Sequence, residues 1–212
     1  DVERLKEAIK SKDLSSAQFG VVSALWFDRH LYEPLLHLGT GGEIAIRPVS
    51  LNGGERRFVE DLRRWHAAKG ESLGSAELYL LRNRSRGGGV GFFEAGNFHP
   101  DFMLWIADEH QQSLGFVDPK GLLNVGPDDP KARFCETIKE IESRLNDPAM
   151  TLEAYLISTT PRPLVRNRWG KQDDWLAERH ILFPDDGPDY LDPMLRQLVA
   201  SVAVSFWCSS ML

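Results

Sequence analysis

The sequence predicts a mixed α/β (α+β) domain: a central mixed sheet flanked by helices, with a helical extension before it. Three observations carry this prediction. Strand-like and helix-like periodicities alternate along the chain, as they do when strands build one sheet and helices cover it. The runs 101–107 (DFMLWIA), 113–118 (SLGFVD) and 152–159 (LEAYLIST) are nearly continuous in apolar residues, the pattern of strands buried on both faces. Segments 52–65 and 131–145 instead gather their apolar residues on one helical stripe. Residues 1–42 are assigned to the helical extension. Residues 43–212 form the main domain, including a C-terminal helix.

In order along the chain, residues 2–10 (VERLKEAIK) place Val2, Leu5 and Ile9 at helical spacing. Residues 17–38 are richly apolar and read as helix until Pro34 interrupts them. After a Gly-rich LGTGGE, the alternation of Ile44 and Ile46 predicts a strand. Asn52 opens a helix whose inner stripe is Leu51, Glu55, Phe58, Leu62 and Trp65. AELYLLR (76–82) reads as a strand, SRGGGVG (85–91) as a loop, and GFFEA (91–95) as a further strand. HILF (180–183) adds a short strand, and a last helix starts near Asp189. Trp26, Trp65, Trp105 and Trp207 read as core residues.

Composition narrows the class. With 42% hydrophobic and 26% charged residues over 212 positions, the chain is long and apolar enough for a sizeable core and is neither disordered nor fibrous. No stretch approaches the roughly 20 apolar residues of a membrane span, and no basic segment followed by an apolar one suggests a secretory signal. Cys135 and Cys208 are the only thiols and form no CxxC, which fits a reducing, cytoplasmic setting without a thiolate metal site. The chain opens on Asp1 rather than Met, as expected of a processed or excised piece of something longer. There is no GxxxxGK[ST], HExxH or GxSxG. Gly87, Gly88, Gly89 and Gly91 do not complete GxGxxG before a helix, so they read as a flexible hairpin tip. The net charge of -6 excludes little, because charge distribution matters more than the sum.

The informative stretch runs from His99-Pro100-Asp101 to Asp118-Pro119-Lys120. If 101–107 and 113–118 are the arms of an antiparallel hairpin turning between Glu109 and His110, Asp101 sits opposite Asp118, with facing side chains about 5 Å apart. Alternation then puts Lys120 on the same face as Asp118, and His99 opposite Lys120 at the edge of the cleft. Two opposed carboxylates are unfavourable unless a cation or shared proton lies between them. Mg²⁺ is the natural occupant, with Mn²⁺ as the alternative, because hard cations take carboxylate, water and phosphate oxygens. A neighbouring ammonium can orient the attacking water and stabilise charge on a phosphate. The tripeptide recurs as Asp129-Pro130-Lys131, but there it follows a polar loop and reads as a helix start.

Pro100-Asp101…Asp118-x-Lys120 resembles the signature of the PD-(D/E)xK nuclease superfamily, the restriction-endonuclease-like fold. The block LYLLRNRSRGGGVGFFEAGNFHPDFMLWI…LGFVDPKGL looks like the nuclease segment that follows the motor in some DEAD/DEAH-box helicases and type III-like restriction subunits. The likeness covers roughly residues 43 to 184. It implies that Asp101 and Asp118 are metal ligands, that Lys120 is the catalytic lysine, and that the Pro119 carbonyl is a further ligand. The extra Glu that family members take from the preceding helix maps to Glu55. Asn52 with Glu55 three residues on also resembles a capping box. Glu60, off the stripe, is the alternative on that helix, and Glu94 is another ligand candidate. Arg82, Arg84 and Arg86 would grip backbone phosphates, with Arg162, Arg166, Arg168 and Lys171 as a second basic strip.

The expectation is thus a divalent-metal-dependent nuclease domain acting on DNA, beside a helicase or translocase, in restriction or phage defence, with no membrane partner. The competing class is a non-catalytic nucleic-acid-binding or assembly module on the same fold. A resolvase- or transposase-like nuclease, told apart by branched-DNA preference, is the third.

Overall fold

In a computed structural model, residues 16–19, 22–25, 27–31, 35–38, 50–83 and 89–203 are described. The main sheet has five strands: β4 (Glu77–Arg82), β5 (Phe102–Ala107), β6 (Gln112–Lys120), β7 (Met150–Ser158) and β8 (Ile181–Leu182). They lie side by side in chain order. The first three are antiparallel, whereas β6, β7 and β8 run parallel, so the sheet is mixed. Parallel neighbours need a crossover. α2 (Phe134–Leu145) supplies it between β6 and β7; α3 (Arg162–Trp169) and α4 (Asp173–Glu178) supply it between β7 and β8.

Helices cover both faces, as the apolar strand runs require. On one face, α1 (Gly53–Lys69) and α5 (Asp192–Ala203) pack Phe58, Leu62, Trp65, Leu195 and Leu198 against Leu80, Phe102, Leu104, Val117 and Ile157. Phe58 and Leu62 are fully buried, each contributing about 1.5–3 kcal/mol of apolar burial. On the other, Phe134 and Ile138 of α2 meet Met103, Phe116, Leu152 and Ala154. A third cluster joins Val165, Trp169 and Leu176 of the second crossover to Leu156 and Ile181. Among the described residues, no helix is long and apolar enough to cross a membrane.

Several expectations change. The predicted helix over 17–38 is instead β1 (Ser16–Phe19), β2 (Val22–Leu25) and β3 (Leu35–Leu38), an antiparallel three-stranded sheet. Short apolar runs fit either period, and here cross-strand pairing prevails, so the helical extension is replaced by strands where residues 1–42 are described. His37 Nδ1 lies 2.7 Å from the Leu51 carbonyl, tying β3 to the entry of α1. GFFEA forms no strand of the main sheet. Phe92 makes an isolated bridge to Phe98, and Phe93–Ala95 is a 3₁₀ turn closed by left-handed Gly96. The edge-to-face contact of Phe92 with Phe116 and its tilted contact with Phe134 fix that turn over the second core. The two helices α3 and α4 had no sequence prediction. The helix over 2–10 and the strand over 43–48 lie outside the described residues, as do Trp26 and Trp207.

Candidate active site

The hairpin register is the one the sequence predicts. Phe102 pairs with Val117 and Ala107 with Gln112, which carries Asp101 opposite Asp118 at the open end. Strand alternation places both carboxylates on the α2 face with Met103 and Phe116. Asp101 is fixed from its other side as well, its carbonyl accepting the Asn83 N–H at 2.8 Å. The site therefore lies at the carboxyl ends of the parallel pair β6 and β7, where open α/β sheets commonly receive ligands.

A cleft of about 610 Å³ opens there, lined by Asp101, Asp118, Pro119, Lys120 and His99, together with Asn52, Asn97, Lys131 and Thr159. Asn52 caps α1: its side chain accepts the Glu55 N–H at 2.9 Å, and the Glu55 carboxylate takes the Asn52 N–H at 3.0 Å. This reciprocal capping box aims the start of the helix at the cleft. Thr159 is held by its N–H on the Lys120 carbonyl at 2.9 Å. Gly91 makes room for the His99 ring, which a Cβ at that position would meet at 2.2 Å. His99 Nδ1 rests 3.1 Å from the Val90 carbonyl.

The two aspartates face each other at the hairpin's open end, and each acts on the other's proton affinity. Burial pushes the Asp101 carboxyl up, and the hydrogen bond and charge of Asp118 push it further, to about 8, against the opposing pull of Arg82 and Lys120. Asp118 is raised by burial too, with Asp101, Lys120 and Lys131 acting the other way. Like carboxylates so placed hold a proton between them. Asp118 Oδ2 is buried with no hydrogen-bond partner among the described residues. Such an atom is costly unless something positive meets it. The donor set, two facing carboxylates with one oxygen unsatisfied, fits a hard divalent cation completed by water and substrate oxygens. Among the described residues, no group of three or more His, Cys, Asp or Glu forms a metal-holding cluster.

The remaining predicted residues divide. Glu55 is buried and close enough to Asp101 to raise its carboxyl's affinity for protons, yet its oxygens already take Asn52 Nδ2 at 2.9 Å and Arg82 Nη2 at 2.9 Å. Arg82 is accordingly spent on Glu55 and on the Ser50 carbonyl instead of standing as an unpaired phosphate grip. Arg84 and Arg86 lie outside the described residues, as does the side chain of Glu94, whose backbone belongs to the 3₁₀ turn and not to a strand. Glu60 pairs with Arg56 at 2.9 Å on the helix surface. The second basic strip is neutralised in part, Arg162 pairing with Asp173 and Asp186, and Arg166 with Asp173.

Lys131 is the residue that sequence reasoning passed over. Asp129-Pro130-Lys131 does form a turn into α2, the Lys131 N–H donating to Asp129 Oδ1 at 2.9 Å. Its side chain nevertheless lines the cleft together with Lys120, whose charge acts on it. Burial and the Lys120 ammonium hold Lys131 below the ordinary lysine range. The repeated tripeptide was a signal, since both copies send their lysine to one place.

Comparisons of the chain with protein-family models, with curated proteins and with solved structures give no match in any of the three.

Proposed function

We propose that the chain is a divalent-metal-dependent nuclease domain that hydrolyses DNA phosphodiester bonds in the cytoplasm. The observation that carries this is the facing pair Asp101 and Asp118, with Asp118 Oδ2 buried and unsatisfied and Lys120 beside it in an open cleft. Asp101 and Asp118 would hold Mg²⁺ or Mn²⁺, with the Pro119 carbonyl at the same strand end. A cation held there offsets charge on the scissile phosphate and makes a water more acidic. Lys120 donates its ammonium protons to a phosphate oxygen and stabilises the charge that grows during attack. His99 and Thr159 supply further polar contacts along the cleft wall. Work beside a helicase or translocase in restriction or phage defence follows from the family likeness alone.

The test is cleavage of supercoiled plasmid and single-stranded DNA with Mg²⁺, Mn²⁺ or EDTA. Asp118→Ala and Lys120→Ala are each expected to lower the metal-dependent rate by roughly a hundredfold or more, the scale of losing one electrostatic contact to the transition state. Full activity in Asp118→Ala would falsify the proposal.

One observation favours a second reading, a DNA-binding or assembly module without catalysis. Glu55 is engaged by Asn52 and Arg82, which leaves two carboxylates where a third ligand is expected. That reading predicts DNA binding with no cleavage under any metal, and no change on mutating Asp118.

A further inference from the structure

Lys131 reaches the cleft from a backbone that is fixed on two sides. The Asp129 carboxylate caps its N–H, and Pro130 packs near left-handed Gly96 of the facing turn. Its ammonium stands 5.7 Å from the centroid of the Phe98 ring, a favourable but modest cation–π contact. It lines the same cleft as Lys120, whose charge acts on it. Two ammonium groups so placed repel each other, the more so where water is partly excluded. The arrangement is favourable when an anion lies between them. Asp101 and Asp118 cannot serve as that anion once they hold a divalent cation, because the cation takes up their charge. The cleft then carries two positive charges beside the metal position, with the Asp129 carboxylate near Lys131 as a single counter-charge. Asn97, His99 and Thr159 line the same space, and its volume suits a nucleotide-sized group.

We propose that Lys120 and Lys131 together form a phosphate site, in which the two ammoniums straddle the oxygens of one phosphate of a nucleic-acid strand. This deepens the nuclease reading and rests on it for the identity of the strand. Lysine binds phosphate as a point charge without fixed planar geometry, so two lysines on separate loops can share one tetrahedral anion. Lys131 is then a phosphate-binding residue, and the second Asp-Pro-Lys is the turn that delivers it.

The test reads binding without catalysis. Inorganic phosphate, which cannot be cleaved, is titrated by calorimetry in Mg²⁺ into the whole chain and its Lys131→Gln, Lys131→Arg and Lys120→Gln variants. A short single-stranded oligonucleotide with hydrolysis-resistant phosphorothioate linkages is then titrated, carrying either a 5′-phosphate or a 5′-hydroxyl. Lys131→Gln and Lys120→Gln are each expected to weaken phosphate binding roughly tenfold or more, the scale of one charge-assisted hydrogen bond. Lys131→Arg should keep most of it, and unchanged thermal melting of the variants shows that the fold is intact. If Lys131→Gln weakens only the 5′-phosphorylated strand, the site takes a terminal phosphate; if it weakens both strands, the site takes a backbone phosphodiester. Either result supports the site. Phosphate binding equal in wild type and Lys131→Gln, or absent from wild type at millimolar phosphate, overturns it. Lysine-dependent phosphate binding without cleavage under any metal would sink the nuclease reading alone. Metal-dependent cleavage with an unchanged KM in Lys131→Gln would sink the two-lysine site alone.

Discussion

Arg82 donates to Glu55 at 2.9 Å across the gap between β4 and the start of α1, and the two side chains are only 17% and 8% exposed. Breaking such a pair on one side leaves an uncompensated buried charge, which costs more than the intact pair contributes. Arg82→Leu is therefore expected to lower stability by about 3 kcal/mol, read as the shift of the urea midpoint. The double variant Arg82→Leu/Glu55→Leu should recover a large part of that loss. Equal destabilisation in single and double variants would show that the pair does not act as a unit.

Asp101 and Asp118 make the stability of the metal-free chain depend on pH. Both carboxyls are raised above their ordinary value, by burial first, and Asp101 reaches about 8. A group raised in the folded state contributes stability fully at low pH and loses it as pH climbs from the usual carboxylate range towards the folded value. Melting in EDTA should thus fall between about pH 5 and pH 8. Mg²⁺ should raise the melting temperature more at pH 8, where the protons no longer compete, than at pH 5. Asp118→Asn should flatten the pH profile and remove the Mg²⁺ increment together. A Mg²⁺ increment that survives Asp118→Asn would place the cation elsewhere.

What the sequence made legible is local or periodic. The hairpin register followed from two apolar runs of similar length and one polar turn between them, because a one-residue slip would move every side chain of β5 from its own core to the core on the other face. The capping box followed from the spacing of Asn52 and Glu55. The rest depends on partners far away in the chain. Nothing local tells that Arg82 meets Glu55, or that Lys131 on the crossover lines one cleft with Lys120 on the strand. The expected helix over 17–38 failed for the opposite reason. Four-residue apolar runs satisfy helix and strand periods alike, and strand pairing decides between them.

Gly91 sits against the His99 ring, with a Cβ there falling 2.2 Å from His99 Cε1. Gly91→Ala must push the imidazole away from its place on the cleft wall. The expected cost is about 1–3 kcal/mol, as for other overpacked sites, and the His99 ring resonances should shift in NMR spectra. A silent Gly91→Ala, in both stability and His99 shifts, would mean that the ring turns aside at no cost.

Gly54, the second residue of α1, lets the helix start approach the carboxyl ends of β6 and β7. A Cβ there would fall 2.7 Å from Thr159 Cγ2 and 3.7 Å from Pro119 Cβ. Thr159 cannot retreat freely, because its N–H is bonded to the Lys120 carbonyl. Two effects of opposite sign compete in Gly54→Ala. Helix propensity favours alanine by up to about 1 kcal/mol, whereas overpacking against a held methyl costs about 1–3 kcal/mol. The contact is with a β-carbon substituent and not with a flexible chain end, so the cost should win and the variant should be less stable in urea. Thr159→Ser removes that methyl and keeps the hydroxyl. In the Thr159→Ser background, Gly54→Ala should therefore become neutral or stabilising, leaving only the propensity gain. Equal destabilisation by Gly54→Ala in both backgrounds would show that the Thr159 methyl is not the source of the strain.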